Sequence, residues 1–288
     1  MKHLNTIIVA AVIALLVTLV TIQMIVGDST NSTTNDAIEK SVFDRVMESG
    51  TIRVAYIFYP PFFSKGTDGS FEGLSVDIME LIGDELGLEI EWTEEVLLSA
   101  AFEGFKTNRY DVVMPGLWAI PPRAKAAAFT QALYYHGIYA FSRADDNRFS
   151  DDLTRINQPD IKLVVLEGEL SQFLAERNYS DAQIITQPSM SEAPQRLMDV
   201  STKKADVTFN EMSVFLLFDK ENPNQLKPVS FNPVSTGAAG IAVPRHAHQF
   251  KDMLNTTIAH LNLSRAIEQV VGKYEGGLIP AAMPYEAQ

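Results

Sequence analysis

The stretch 111–123, Asp-Val-Val-Met-Pro-Gly-Leu-Trp-Ala-Ile-Pro-Pro-Arg, decides the fold. The apolar residues after Asp111 predict a short buried strand over 111–114. Pro115 and Gly116 predict a loop, and Pro121 opens a helix, where the N–H that proline lacks would be unpaired anyway. Arg123 falls in the first turn of that helix. A strand running through a loop into a helix start is where an α/β protein holds a small anion, because backbone N–H groups converge there. A guanidinium at that point matches a carboxylate bidentately. Spacing alone leaves Arg123 equally readable as an ordinary surface arginine.

Outward from this stretch, strands and helices alternate. Upstream, a helical spacing over 37–48 ends at Gly50. A strand over 51–58 is broken by Tyr59-Pro60-Pro61-Phe62, and residues 73–77 lead into a helix over 78–86 that Gly87 stops. A strand over 88–92, a short helix over 99–106 and a strand over 110–114 follow. Downstream, the helix carrying Arg123 is expected to continue to 128, residues 129–135 to form a loop and 137–142 a strand. The polar segment 143–152 then crosses into a second alternation. Its strands are expected at 162–166, 182–186 and 206–209, and its helices at 170–177, 191–200 and 212–219. A strand over 240–243 and helices over 250–261 and 264–273 close the chain. This rhythm implies parallel sheets with crossovers. Ligands in such sheets sit beyond the carboxyl ends of the strands, where residues 59–62 and 116–123 both fall.

Composition narrows the function classes. The 288 residues carry a formal charge of −13, with 20% charged and 46% apolar residues. From residue 28 onward, 22 Lys/Arg against 36 Asp/Glu give −14. An acidic body without a basic stripe argues against nucleic-acid binding. With no cysteine, disulfides, thiolate catalysis and Cys-based zinc sites are excluded. His246 and His248 form the one close histidine pair, with no acidic motif around it, and read as a solvated turn after Pro244. No metal, cofactor or catalytic residue is expected.

The N-terminus reads as a membrane element. Residues 7–26 contain only Thr18, Thr21 and Gln23 as polar members, a length that matches the hydrocarbon core of a bilayer. No small-residue cleavage pattern follows, so an uncleaved signal-anchor is expected over 1–27, with Lys2 inside and the rest of the chain outside. A polar tether and leading helix occupy 28–49.

At this point the chain resembles the bacterial extracellular solute-binding proteins of family 3, the polar amino-acid receptors of ABC importers. The resemblance rests on G-T-I-R-V-A at 50–55, Y-P-P-F at 59–62, G-L-S-V-D at 73–77, L-G at 86–87, Y-D-V-V at 110–113 and G-x-x-x-x-P-x-R over 116–123. A-D-V at 205–207, G-I-A-V at 240–243 and K-Y at 273–274 continue it in order. It implies a two-lobed type II periplasmic-binding-protein fold, each lobe a sheet flanked by helices. Lobe 1 would comprise 50–141 and the closing part and tail 236–288, lobe 2 residues 142–235, with two crossings and closure on a ligand.

The resemblance also implies roles. Arg123 would clamp a ligand carboxylate with help from the backbone at Gly116. Glu211, after the A-D-V strand, would take the ammonium group, and Tyr59 and Phe62 would pack on the ligand's side chain. The chain departs from the family pattern around these positions. Trp118 and Ile120 replace hydroxyl residues, Gly168-Glu169 replaces a Gly-Thr turn, and Leu98 stands where an aromatic is frequent. Glu169 beside a carboxylate ligand would be repelled unless it points away or is protonated. Trp118 would stack on a planar or cationic ligand or simply fill the cleft. The implied function is capture of an amino-acid-like or organic-acid ligand for delivery to an ABC permease, from a membrane-anchored extracytoplasmic domain. Two alternatives compete: a dehydratase on the same scaffold, with Glu169 or Glu211 as acid, and a sensor or scaffold with an altered cleft.

Overall fold

A computed structural model of the protein describes residues 40–149, 151–274 and 278–280. The segment expected to anchor the chain in a membrane lies outside the described residues. Among those described, no helix is long and apolar enough to cross a membrane.

Helix α1 (Val42–Ser49) leads into β1 (Thr51–Tyr56), followed by α2 (Leu74–Leu86), β2 (Glu89–Glu95), β3 (Val112–Trp118), α3 (Pro121–Ala124) and β4 (Tyr134–Arg143). A second alternation comprises β5 (Lys162–Leu166), α4 (Leu170–Asn178), β6 (Gln183–Gln187), α5 (Ala193–Ser201), β7 (Val207–Glu211) and α6 (Met212–Glu221). The chain then returns through β8 (Ser235–Val243), α7 (His248–Leu263) and α8 (Ala266–Val271).

These strands lie in the order β2-β1-β3-β8-β4-β7-β5-β6. The outer trios, β2-β1-β3 and β7-β5-β6, are parallel. Between them β8 and β4 run antiparallel to their neighbours. Strand β4 changes partner midway: residues 134–138 face β8 and residues 138–142 face β7, with Ile138 opposite both Ser235 and Glu211. One continuous strand thus belongs to both halves.

Asp111 holds the entrance of β3. Its buried carboxylate accepts from the guanidiniums of Arg45 and Arg53 and from the Arg53 N–H at 2.9 Å, tying α1, β1 and β3 together. Helix α2 begins at Leu74, four residues before the expected start. The Phe62 carbonyl accepts the Ser75 N–H at 2.8 Å, and Gly73 passes so close that a Cβ there would meet that oxygen at 2.5 Å. Apolar Ile78, Met79 and Ile82 are fully buried, and Gly87, at φ 65°, ends the helix as expected.

The deciding stretch departs from expectation in one respect. Strand β3 does not stop at Met114 but continues to Trp118. Trp118 pairs with Ala239 and Val113 with Ala242, so Met114, Pro115 and Gly116 stand opposite Ile241 alone. The proline, which cannot donate to a ladder, and Gly116, at φ 102°, are accommodated in this bulge. Helix α3 ends at Ala124 instead of running to 128, because Ala128 and Phe129 gain ladder pairing with Val243 and Ala242. The expected helix over 99–106 is two short 3₁₀ turns. The Tyr110 ring would lie 2.2 Å from a Cβ at Gly104, while its hydroxyl donates to the Ala101 carbonyl. The strand Leu278–Pro280, which the sequence reading did not include, adds to the edge of β4.

Candidate ligand-binding site

A cavity of about 50 Å³ lies between the two half-sheets, beyond the carboxyl ends of β1, β3 and β7. The turn after β1 supplies Tyr59 and Phe62, and the bulge and end of β3 supply Gly116 and Trp118. Arg123 comes from α3, while Glu169 and Glu211 come from the second half and Leu98 closes the rim. Gly168 contributes its carbonyl rather than a lining surface. Of the residues singled out in the sequence, Ile120 alone is placed elsewhere. It packs in the second apolar cluster with Ile138 and Phe209 and faces a surface depression beside Pro121.

Arg123 is buried, and its guanidinium donates to the Trp118 carbonyl at 3.2 Å and the Gly168 carbonyl at 2.9 Å. No carboxylate among the described residues comes within ion-pair distance of it. Burial lowers its pKa to about 10, against the fields of Glu169 and Glu211, so it stays cationic at neutral pH. The second bond joins the two halves, as does a 2.8 Å hydrogen bond between Ser99 and Ser189.

Arg196 on α5 is the residue that the sequence reading missed. Its side chain is 0% exposed and lies 3.1 Å from Glu169 Oε2, with further bonds to Glu169 Oε1 at 3.2 Å and Asn210 Oδ1 at 2.9 Å. The Ser171 hydroxyl donates to Glu169 at 2.5 Å. Glu169 is therefore the anionic partner of Arg196, and the repulsion expected between it and a carboxylate ligand is largely cancelled. Burial pulls the Arg196 pKa down, but Glu169 and the neighbouring oxygens outweigh this and leave it raised.

Tyr59 reaches from the first half into this cluster. Its hydroxyl oxygen lies 3.0 Å from Glu169 Oε1 and 2.9 Å from Glu211 Oε2. A phenol has one hydrogen and cannot donate to both. With Glu169 ionised, the consistent arrangement is Tyr59 donating to Glu169 and a protonated Glu211 donating to Tyr59. Burial, and next the field of Glu169, raise the Glu211 pKa from 4.5 to about 7 in agreement with this. The folded protein then binds more protons than the unfolded chain between those values. The stability this supplies is full below about pH 4 and is lost as pH rises through 7, a change on the order of 3 kcal/mol. Glu211→Gln should remove that fall, leaving the opposite trend of the buried neutral His136, whose contribution is lost as pH drops below about 6.5. Urea unfolding between pH 5 and 8 checks it, and an unchanged slope would place the proton elsewhere.

Trp118 lies with its ring stacked on His136, centroids 3.8 Å apart at 20°. His136 also lines the cavity, is 2% exposed, and has no hydrogen-bond partner for either ring nitrogen among the described residues. Burial lowers its pKa to about 3, so it is neutral. The Trp118 ring also abuts β8: a Cβ at Gly237 would come within 1.9 Å of it. Gly237→Ala should therefore displace the indole and cost about 1–3 kcal/mol. Tryptophan emission and thermal unfolding measure both effects, and unaltered emission would refute the contact.

The chain matches the bacterial extracellular solute-binding proteins, family 3, over residues 52–277, and belongs to that family. It is 25% identical over 178 residues to a cyclohexadienyl dehydratase of Pseudomonas aeruginosa, a match covering 60% of this chain and 63% of that one. It is 25% identical over 224 residues to a probable amino-acid ABC transporter-binding protein of Haemophilus influenzae, covering 74% and 79% of the two chains. In structure it is similar to an ancestral amino acid-binding protein described as a precursor of cyclohexadienyl dehydratase. That likeness has a TM-score of 0.71 at 21% identity and covers 82% of this chain and 99% of the other.

Proposed function

We propose that the protein is an extracytoplasmic receptor that closes its two lobes on a small carboxylate-bearing solute, amino-acid-like or a simple organic acid, and presents it to an ABC permease. The observation that carries this is Arg123, a buried cation that lines the cavity and whose bonds go only to carbonyls. A charge so placed is costly until an anion joins it. Family membership and the amino-acid transporter-binding relative support the transport role. Lobe 1 would comprise 50–141 and 236–288, lobe 2 residues 142–235, with the N-terminal segment as membrane anchor. Thermal unfolding of the full-length chain against amino acids and organic acids tests the reading. A ligand at a hundred times its Kd should add about 2.7 kcal/mol of stability. No shift across such a panel would remove it.

A second reading is favoured by one observation. Glu211, its pKa raised by burial to about 7 and lining the same cavity as Arg123, is a competent general acid. The dehydratase relative adds to it. Turnover of prephenate or arogenate by the purified chain tests this, and its absence leaves the protein a receptor without catalysis.

A further inference from the structure

We infer that Tyr59 is the latch of closure: its hydroxyl plugs into a polar socket that the second half builds for it, and so lets the halves come together through bonds between groups of the protein itself. This rests on the receptor reading, since a latch acts only if the halves move.

The socket is assembled within the second half. Arg196 lies 3.1 Å from Glu169 Oε2 and donates to Asn210 Oδ1 at 2.9 Å, and the Ser171 hydroxyl donates to Glu169. Glu211 stands beside Asn210 at the end of β7, and all of these residues are buried. They fix one another, so an entering group finds its partners already placed. Into this socket the first half sends one atom. The Tyr59 oxygen lies 3.0 Å from Glu169 Oε1, 2.9 Å from Glu211 Oε2, 3.3 Å from Arg196 Nη2 and 3.4 Å from Asn210 Oδ1. A phenol both donates and accepts, which suits a socket that offers carboxyl oxygens and a guanidinium.

The first half holds this atom firmly. The Tyr59 carbonyl accepts the N–H groups of Phe62 at 2.8 Å and Phe63 at 3.0 Å, and the Tyr59 N–H returns a bond to the Phe63 carbonyl. The other bonds across the halves are Arg123 to the Gly168 carbonyl, Trp118 to Glu211 at 3.4 Å and the exposed Ser99–Ser189 pair. A bond to a buried carboxylate is roughly twice as strong as a neutral one. Its loss also falls on one arrangement alone. With the halves together, the carboxyls would be left buried and short of a donor, whereas with the halves apart water serves them.

The Ser99–Ser189 pair, 2.8 Å apart across the halves, supplies the readout, because the chain has no cysteine of its own. Ser99→Cys with Ser189→Cys in the full-length chain, refolded from urea without added solute, should form a disulfide at a rate set by how often the halves meet. Tyr59→Phe in that background keeps the ring beside Phe62 and removes only the hydroxyl. It should slow the cross-link about tenfold or more, the loss expected for a hydrogen bond to a charged group. Lys162→Cys with Gln183→Cys, opposite each other on β5 and β6 inside the second half, is the control and should cross-link equally fast with either residue at 59. Equal Ser99–Ser189 rates with tyrosine and phenylalanine overturn the latch. So does slowing of the control pair in the same proportion, which would make Tyr59 a general packing residue. No disulfide at all in the tyrosine background overturns closure through the protein's own bonds. The receptor reading survives each of these results and fails only if the solute panel gives no shift in melting.

Discussion

Replacing Arg196 by methionine should destabilise the protein by about 3–5 kcal/mol, because it leaves the Glu169 carboxylate buried without its cation. The size follows from asymmetry: taking two charges out of water is costly, but taking away one partner afterwards is worse. Arg196 also holds Asn210 and touches the Tyr59 oxygen, so its loss frees the latch by which the first half reaches the second. The double variant Arg196→Met with Glu169→Gln removes both charges and should recover most of the loss. Denaturant unfolding of the two single variants and the double variant gives the coupling directly. Purely additive effects would show that the pair is not the unit described here.

The second large effect has opposite signs for stability and binding. Arg123→Met should raise the stability of the unliganded protein by about 1–2 kcal/mol. A buried cation without an anion, which costs several kcal/mol, is removed at the expense of two carbonyl hydrogen bonds to a charged group worth about 1.5–3 kcal/mol each. The same substitution should weaken ligand binding by about 2–5 kcal/mol, or 30-fold to several thousand-fold, as expected on truncating one side of a buried charge pair. Melting temperatures with and without ligand measure both in one experiment. A variant that is less stable when empty, yet still binds, would make Arg123 a structural residue.

Much of this was legible in the chain itself. The parallel strands around 51–56 and 162–166, the Gly87 stop and the position of residues 59–62 and 116–123 at strand ends follow from periodicity and turn chemistry, whereas Glu169 and Glu211 were placed beside them by the family resemblance. The continuation of β3 did not, because Pro115-Gly116 reads locally as a break and only its pairing with β8 turns it into a bulge. Arg196 was hidden for a similar reason. A single arginine in a short amphipathic helix looks like a solvated face, and nothing nearby in sequence announces Glu169. His136 left a fainter trace. On β4 the alternation Tyr134, His136, Ile138, Ala140 places it on the buried face of a strand, where a histidine needs a partner that the chain does not provide. Ile120 shows the converse error: adjacency to Trp118 and Arg123 does not place it in the cavity.

Strand β4 has a mechanical consequence. It passes from one half-sheet to the other near Ile138, where its partner changes from β8 to β7, which makes that point the natural pivot of the proposed closure. On the receptor reading, in which the halves swing about that point, a side chain near it would travel little while those far from it would sweep a long arc. His136 is two residues from Ile138, whereas the Tyr59 hydroxyl and Glu169 come from opposite halves and would meet only on closure. On that reading the bond between Tyr59 and Glu169 would engage last, once the halves have come together over the solute.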